Sequence, residues 1–483
     1  MTIRLPHAAR AAGTLLLLGS AAASAQTDPG VRPGLINGQA AATATVPLPL
    51  PSVTANNPQG VQEFFQNALN RFANDVETVN TPPNVGLGPR FNMNVCGVCH
   101  QQPTIGGTSP AVNPEFTAVG TIAAASANTV PYFVTQNGPM REAHFTFFFN
   151  ADGSPNTNAP NGAVEELYTV TGLPGAESCT LAQPAFNHAR QTNNISFRIP
   201  PTLFGDGLIE NLDDSTLLQN QAAQAHNHLG ISGTFNRNGF DATINRYGWK
   251  AQVKAIEDFA ALAYTEEEGI TNEIFPNEHP LPGEDLAAGL PPGCLNLGGV
   301  GYPEDTTNFA AATPSSDQFA QNAQIPSDIV QFSMFIRLVA PPTPSTDTPG
   351  GAASITHGSQ VFQSVGCAVC HTPALGPTQA SNFTPSLGGA TVNAFTDLEV
   401  HHMGRGLADN IAQGAAGGDQ FKTAPLWGIG QRIFFLHDGR TNNLLTAIQD
   451  HASNGSEATQ VVRNFDQLPT QSKQDLLNFL RSL

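Results

Sequence analysis

The feature that most constrains this chain of 483 residues is a pattern Cys-x-x-Cys-His that occurs twice, as CGVCH at 96–100 and as CAVCH at 367–371. Two thiols separated by two residues can reach the two vinyl groups of one haem, and the adjacent histidine then lies under the iron as proximal ligand. A zinc site would need further thiol or imidazole ligands, and a thioredoxin-type redox pair does not require the histidine. The sequence therefore predicts two covalently attached haem c groups. The predicted attachment and proximal residues are Cys96, Cys99, His100, Cys367, Cys370 and His371.

The sixth ligand of each iron decides what that haem does. A strong axial ligand such as methionine favours electron transfer, whereas an open position allows oxygen or peroxide chemistry. After the second motif, the stretch HHMGRGLAD supplies Met403, which we predict as the axial ligand of the second haem. His401 and His402 are the alternatives.

No methionine or histidine closely follows the first motif. The next two are Met140 and His144, which flank Arg141 and Glu142 in NGPMREAHF. Peroxide cleavage needs an open iron, a base that moves a proton between the two oxygens, and a cation or donor for the departing oxygen. We therefore predict Glu142 as the base and Arg141 as the cation. The alternative is that these two residues form a structural salt bridge with each other.

The first 25 residues predict export. A short basic segment precedes the apolar stretch AAGTLLLLGSAAA, which is too short to span a bilayer comfortably, and Ala23-Ser24-Ala25 forms an A-x-A cleavage site. We predict a signal peptide cleaved after Ala25 and a periplasmic protein without a membrane span, with a retained anchor as the alternative. Cys179 and Cys294 lie outside the two motifs, and in an oxidising compartment they suggest a disulfide, with two buried thiols as the alternative.

The composition limits the partners and the fold class. A net charge of −18 repels phosphate backbones, so the sequence predicts no nucleic-acid partner. The same charge suits docking to a small basic electron-donor protein such as a cytochrome, or it only maintains solubility. The chain has 46 glycines and 38 prolines, which indicates a mainly α fold with extensive loops and a few short strands.

The domain organisation follows from the turn-rich segments. We predict an extended N-terminal tail over 26–60, an N-terminal haem c domain with large insertions over 61–339, and a C-terminal cytochrome c domain over 353–483. The stretch APPTPSTDTPGGA at 340–352 is the predicted linker. The two tryptophans, Trp249 and Trp427, either carry electrons between the haems or fill the core.

Several longer stretches resemble the bacterial di-haem oxidoreductase family, whose members are described as peroxidases and sometimes as thiol oxidoreductases. They are LGPRFNMNVCGVCHQQPTIGGTSPAVNP (87–114), NGPMREA (137–143), FRIPPTLFGDGLIEN (197–211), RYGWKAQ (246–252), GITNEIFPNE (269–278), and HHMGRGLAD through TAPLWGIGQRIFFLHDGRTNNLLTAI (401–448). A more distant likeness is to the di-haem cytochrome c peroxidases. Both CxxC pairs would be consumed as thioethers, so a thiol oxidoreductase activity does not fit.

The resemblance implies two cytochrome c-like haem domains, with a peroxide-reactive N-terminal haem and a C-terminal haem that receives electrons from a small periplasmic donor. It also implies Met403 as an axial ligand and a calcium ion between the domains. The peroxidases place a distal histidine shortly after the first motif, and this chain has none there. Two other functions remain open: a non-catalytic electron carrier, and an oxygenase whose apolar channel is lined by FTFFF (145–149).

Overall fold

The structure is a computed structural model in which a helical frame carries a few short strands. It describes residues 26–483 apart from 33–34, 37–38, 41–47, 49–57, 75, 80–85, 118–126, 279–280, 282–290, 292, 295–326 and 381–386. The predicted signal peptide at 1–25 lies outside the described residues. Within them, no helix has the length and apolar character needed to cross a bilayer.

The helices account for most of the regular structure. They are α1 (Pro58–Asn74), α2 (Phe186–Gln191), α3 (Asp206–Glu210), α4 (Asp214–Gln224), α5 (Ile256–Glu267), α6 (Asp328–Leu338), α7 (Gly351–Val365), α8 (Gly404–Leu407), α9 (Leu444–Asp450), α10 (Thr459–Asp466) and α11 (Thr470–Ser482). In the described part of the chain, 3₁₀ turns cover Cys96–Val98, Cys367–Val369 and Ile429–Gln431.

The strands are two to six residues long and form small antiparallel sheets. They are β1 (Leu35–Ile36), β2 (Gln39–Ala40), β3 (Arg90–Phe91), β4 (Glu142–His144), β5 (Phe147–Phe149), β6 (Pro155–Pro160), β7 (Val164–Glu165), β8 (Tyr168–Thr169), β9 (Ser196–Arg198), β10 (Pro342–Thr343), β11 (Val400–His402) and β12 (Gln420–Lys422). The sheet orders are β10-β1-β2, β11-β12, β3-β8, β7-β4-β9 and β5-β6. The prediction of a mainly helical fold with a few short strands is confirmed at this level.

The last helix shows why the frame forms. Leu476, Leu477, Leu480 and Leu483 recur at helical spacing and are all buried. They pack α11 onto α7, the helix that leads into the second CxxCH motif, and α1 and α6 pack together in the same way around the first motif. A helix before each motif therefore packs on a later helix that is distant in sequence.

The two helix pairs share the details of their packing. Phe72 of α1 lies 4.7 Å from Phe335 of α6, measured between ring centroids. Phe362 of α7 lies 5.5 Å from Phe479 of α11. The segments FIRL at 335–338 and FLRS at 479–482 place these phenylalanines equivalently. Two units of the chain are therefore built on the same plan: the first unit comprises α1, α6 and the motif at 96–100, and the second comprises α7, α11 and the motif at 367–371.

Close backbone contacts repeat between the two units as well. A Cβ on Gly207 would come within 2.0 Å of the Arg337 carbonyl oxygen, and a Cβ on Gly430 within 2.1 Å of the Arg481 carbonyl oxygen. Both arginines lie near the end of the later helix of their pair. Only glycine permits this approach of a loop to a helix, so the same steric requirement fixes both loops.

Between the two motifs the chain adds a second core. It contains β3, β4 and β8 together with a disulfide between Cys179 and Cys294. The disulfide confirms the pairing suggested by the sequence. This inserted region packs beside the first unit and contributes β4 and β9 to its cavity, as described below.

The N-terminal segment and the predicted linker are both ordered against the rest of the chain. β1 pairs with β10, which lies inside the predicted linker at 340–352, and α7 begins at Gly351. Asp28 accepts hydrogen bonds from the guanidinium of Arg481, with Nε–Oδ1 at 2.7 Å. Residues at the start of the described chain therefore hold the C-terminal helix.

Candidate cofactor sites

The first CxxCH motif opens onto a cavity lined by Cys96, Cys99 and His100. The 3₁₀ turn that begins at Cys96 brings these side chains to one side of the backbone. His100 Nδ1 lies 3.0 Å from the Gly107 carbonyl oxygen. A carbonyl only accepts, so Nδ1 carries the proton and Nε2 carries the lone pair that a metal would bind. Burial lowers the pKa of His100 to about 4, which keeps the ring neutral at pH 7.

The second motif repeats this geometry in a separate cavity lined by Cys367, Cys370 and His371. His371 Nδ1 lies 3.1 Å from the Phe395 carbonyl oxygen, which again makes Nε2 the ligand atom. Burial lowers the pKa of His371 to about 3. Each cavity thus combines two thiols with a neutral, oriented imidazole, which is the donor set of covalent haem attachment.

The backbone around the two histidines is also equivalent. His100 contacts the Gly107 carbonyl, and the carbonyl of the preceding residue, Gly106, accepts a hydrogen bond from Leu203 N at 2.8 Å. In the second unit, the carbonyl of Ala394 takes the corresponding bond from Leu426 N at 2.9 Å. These leucines belong to PPTLFG and TAPLWG, so a proline-leucine segment braces the proximal loop in both units.

Met403 lines the second cavity together with the motif. The two alternative ligands, His401 and His402, are both paired with carboxylates. His401 Nε2 lies 3.0 Å from Asp397, and its Nδ1 lies 2.9 Å from Glu457. Burial alone would lower the pKa of His401, but these carboxylates raise it, so the ring is an imidazolium without a lone pair for iron. His402 has 52% of its side chain exposed and pairs with Asp419.

Arg141 and Glu142 both line the first cavity, as do Met140 and His144. The two predicted catalytic residues do not pair with each other. Arg141 Nε donates to the Asp438 carbonyl oxygen at 3.0 Å, and Glu142 Oε2 lies 3.0 Å from His144 Nε2. The salt bridge weighed as the structural alternative is therefore not formed. Burial alone would raise the pKa of Glu142, but His144 and Arg198 lower it, so the carboxylate is ionised at neutral pH.

Sequence reasoning missed a group of acids around the first cavity. Further carboxylates that line it are Glu115, Glu266, Glu267 and Glu268. Burial raises the pKa of both Glu115 and Glu268 to about 8. The run TEEEG at 265–269 was the available signal, but the charge run resembled an exposed helix end. The second cavity instead holds the cations Lys422 and Arg432.

Trp249 lines both cavities. Its indole N–H donates to the Ile199 carbonyl oxygen at 3.0 Å, which fixes the ring. Trp427 is 5% exposed and packs against Gly205, in the hydrophobic core that also contains the buried phenylalanines of α1 and α6. Of the two roles weighed for the tryptophans, the position between the sites fits Trp249 and the core role fits Trp427.

The segment FTFFF does not contribute to the described lining of the first cavity. Phe145 is 3% exposed and packs in the second core, with its ring 5.4 Å from that of Phe149. Phe148 is 37% exposed on the outer surface. The apolar channel that the sequence suggested for an oxygenase is thus not formed by these residues.

Comparison with known proteins gives one match that covers most of the chain. A family model with the description "Di-haem oxidoreductase, putative peroxidase" matches residues 184–483. No curated protein sequence matches the chain. Among solved structures, a chain of Kuenenia stuttgartiensis hydrazine synthase, pressurised with 20 bar xenon, is 18% identical with a TM-score of 0.22. That alignment covers 33% of this chain and 56% of the synthase chain, and such a TM-score does not establish a shared fold.

Proposed function

Since the chain belongs to the di-haem oxidoreductase family, we propose that it is a periplasmic peroxidase that passes electrons from a donor protein through the C-terminal haem to a peroxide-reactive N-terminal haem. The observation that carries this proposal is the asymmetry of the two cavities. The second combines Met403 with the cations Lys422 and Arg432, whereas the first sets an ionised carboxylate, Glu142, beside the half-buried Arg141 in addition to Met140. Two cavities lined by the same kinds of residues would favour a simple electron carrier.

The residues that would hold the two groups are present in matching geometry. Cys96 and Cys99 would form the thioethers of one haem and Cys367 and Cys370 those of the other, with the oriented Nε2 of each motif histidine as proximal ligand. When bound, each haem supplies an iron that exchanges single electrons and, where a coordination position is open, reacts with peroxide. The chain itself determines orientation, proton movement and charge.

The N-terminal cavity supplies the proton chemistry. Glu142 accepts the proton from the near oxygen of the peroxide and returns it to the far oxygen as the bond breaks. His144 holds the carboxylate in its ionised form through the 3.0 Å contact. Arg141, held at its Nε by the Asp438 carbonyl, places positive charge where the departing oxygen becomes negative.

Trp249 is the proposed electron path. It lines both cavities, and its indole is fixed by the bond to Ile199. Phe421 and His437 stack on each other at 4.2 Å, and His437 lies 6.3 Å from the Trp249 ring, so aromatic rings connect the second cavity to this tryptophan. The net charge of −18 favours a small basic protein as the donor. The calcium ion that the resemblance implies stays a prediction.

The function is tested by steady-state turnover of the haem-loaded protein. Hydrogen peroxide and a reduced small basic cytochrome c should give saturable, peroxide-dependent oxidation of the cytochrome, recorded by absorbance. Half-reduced protein should show the high-spin signal of the ferric N-terminal iron in its electron paramagnetic resonance spectrum, with the reduced C-terminal iron silent. Absence of turnover together with two low-spin irons in every redox state would leave an electron carrier instead, and a stable oxygen adduct would indicate an oxygenase.

The assignment of Met403 is tested by a matched pair of substitutions. Met403→Leu preserves volume but removes the thioether donor. It should convert the low-spin signal of the C-terminal haem in the oxidised protein to high spin and lower the midpoint potential of that haem, because methionine ligation raises it. Met334→Leu, in α6 and outside the described lining of both cavities, should change neither. An unchanged spectrum in Met403→Leu would remove this ligand assignment.

A further inference from the structure

The C-terminal cavity contains a buried cation without a protein partner. Arg432 is 9% exposed and lines the cavity. Its backbone is used, since its amide donates to Ile429 and its carbonyl accepts from Arg481. Among the residues that the structure describes, its guanidinium makes no hydrogen bond or ion pair. A largely buried guanidinium without a protein acceptor is unfavourable, which indicates that an acceptor from outside the chain completes this site.

Lys422 places a second cation in the same cavity. Its Nζ donates to the Arg246 carbonyl oxygen at 2.8 Å, which leaves further donor capacity on the ammonium group. The residue lies on β12, and its backbone amide donates to the Trp249 carbonyl at 2.8 Å. The two cations therefore lie where the second unit contacts Trp249 and the first unit.

Charges of the chain itself do not balance this pair. Asp206 is the nearby carboxyl, and one carboxyl faces two cations; burial raises its pKa, although Lys422 and Arg432 lower it. Glu457 also lines the cavity, but His401 already holds it at 2.9 Å. The remaining lining is mostly apolar.

We propose that Arg432, assisted by Lys422, binds the propionate carboxylates of the C-terminal haem. Arginine presents a planar fork that matches a carboxylate with two parallel hydrogen bonds, and lysine adds a mobile point charge. The thioethers fix the vinyl edge of the haem at Cys367 and Cys370, and the carboxylates lie on the opposite edge of a haem. Binding at Arg432 directs that edge toward Trp249 and the first unit, which deepens and rests on the electron path proposed above.

The test uses the haem-loaded protein and readouts that do not require turnover. Because the haem is attached by thioethers, Arg432→Gln should retain it. This variant should lower the midpoint potential of the C-terminal haem, since a cation beside the haem favours the reduced state. It should also shift the propionate bending mode in the resonance Raman spectrum. Arg432→Lys should recover most of the potential but keep a shifted mode, because the fork is lost.

Arg463→Gln is the matched control, because Arg463 is exposed on α10. It should leave both readouts at wild-type values. Wild-type potential and wild-type propionate mode in both Arg432 variants would overturn the proposal, even with peroxide turnover intact. A shifted mode and a lowered potential in a protein that does not turn over peroxide would support the carboxylate site and reject only the proposed function.

Discussion

Replacing Glu142 by glutamine should lower kcat/KM for peroxide by about 10²- to 10⁴-fold, the usual contribution of a positioned general base. Glutamine keeps the shape of the side chain but has no basic oxygen that can take up a proton at neutral pH. Both haems should remain attached, because the thiols and the proximal histidines lie on other segments. The measurement is initial rate against peroxide concentration with reduced cytochrome c in excess.

The pH dependence of the wild-type protein gives an independent check. A base works only when it is unprotonated, so the rate should fall as pH drops through the pKa of Glu142. Burial would raise that pKa, but His144 and Arg198 hold it below the ordinary value of 4.5. The acid limb of kcat/KM should therefore lie below pH 4.5. An acid limb near pH 6 or above would assign the base to another group.

Glu177→Gln is a suitable control, because it makes the same chemical change at an exposed position of the inserted region. It should leave both kcat/KM and the pH profile unchanged. Full activity in Glu142→Gln would contradict the assigned base. A rate that falls equally in both variants would show that the loss reflects stability and not proton transfer.

Local sequence patterns predicted the parts of these sites that depend on short spacing. The spacing of Cys96, Cys99 and His100 gave the first motif, and the structure places all three at one cavity. The stretch around Met403 suggested a ligand for the second site, and the structure brings it there. The pair Cys179 and Cys294 was suggested only because two cysteines remained, and the disulfide confirms it.

Partners far apart in sequence could not be predicted. The carbonyl that holds Arg141 belongs to Asp438, almost three hundred positions away, and no periodicity connects these segments. The acids at 266–268 carry the composition of an exposed charge run, but they line the first cavity. Burial of charge depends on which segments meet in the tertiary structure, and a single sequence contains no direct record of that.

A second large effect is expected at the buried ion cluster between the two units. Asp409, which follows α8, pairs with Arg198 at 2.9 Å and with Lys250 at 3.0 Å. The side chains of Asp409 and Lys250 are 0% exposed, and that of Arg198 is 3% exposed. Asp409→Asn should lower the free energy of unfolding by about 3–5 kcal/mol, because it leaves buried cations without their counter-charge. Urea unfolding followed by far-ultraviolet circular dichroism measures this.

The exposed pair of Lys254 and Asp241 provides the comparison. These side chains are 35% and 46% exposed. Asp241→Asn makes the same change in a solvated pair and should cost only about 0–1 kcal/mol. Equal losses in the two variants would contradict the view that burial of the cluster determines the cost.

The pH dependence of the Asp409→Asn effect follows from the lysine. Burial lowers the pKa of Lys250 to about 8, although Asp409 counteracts this. Without Asp409 that pKa falls further, so in the variant Lys250 loses its proton at a lower pH than in the wild type. The unfolded chain then binds more protons than the folded variant, and the stability of the variant rises with pH. The destabilisation should therefore be smaller at pH 9 than at pH 6, and an equal cost at both would show that Arg198 alone carries the unpaired charge.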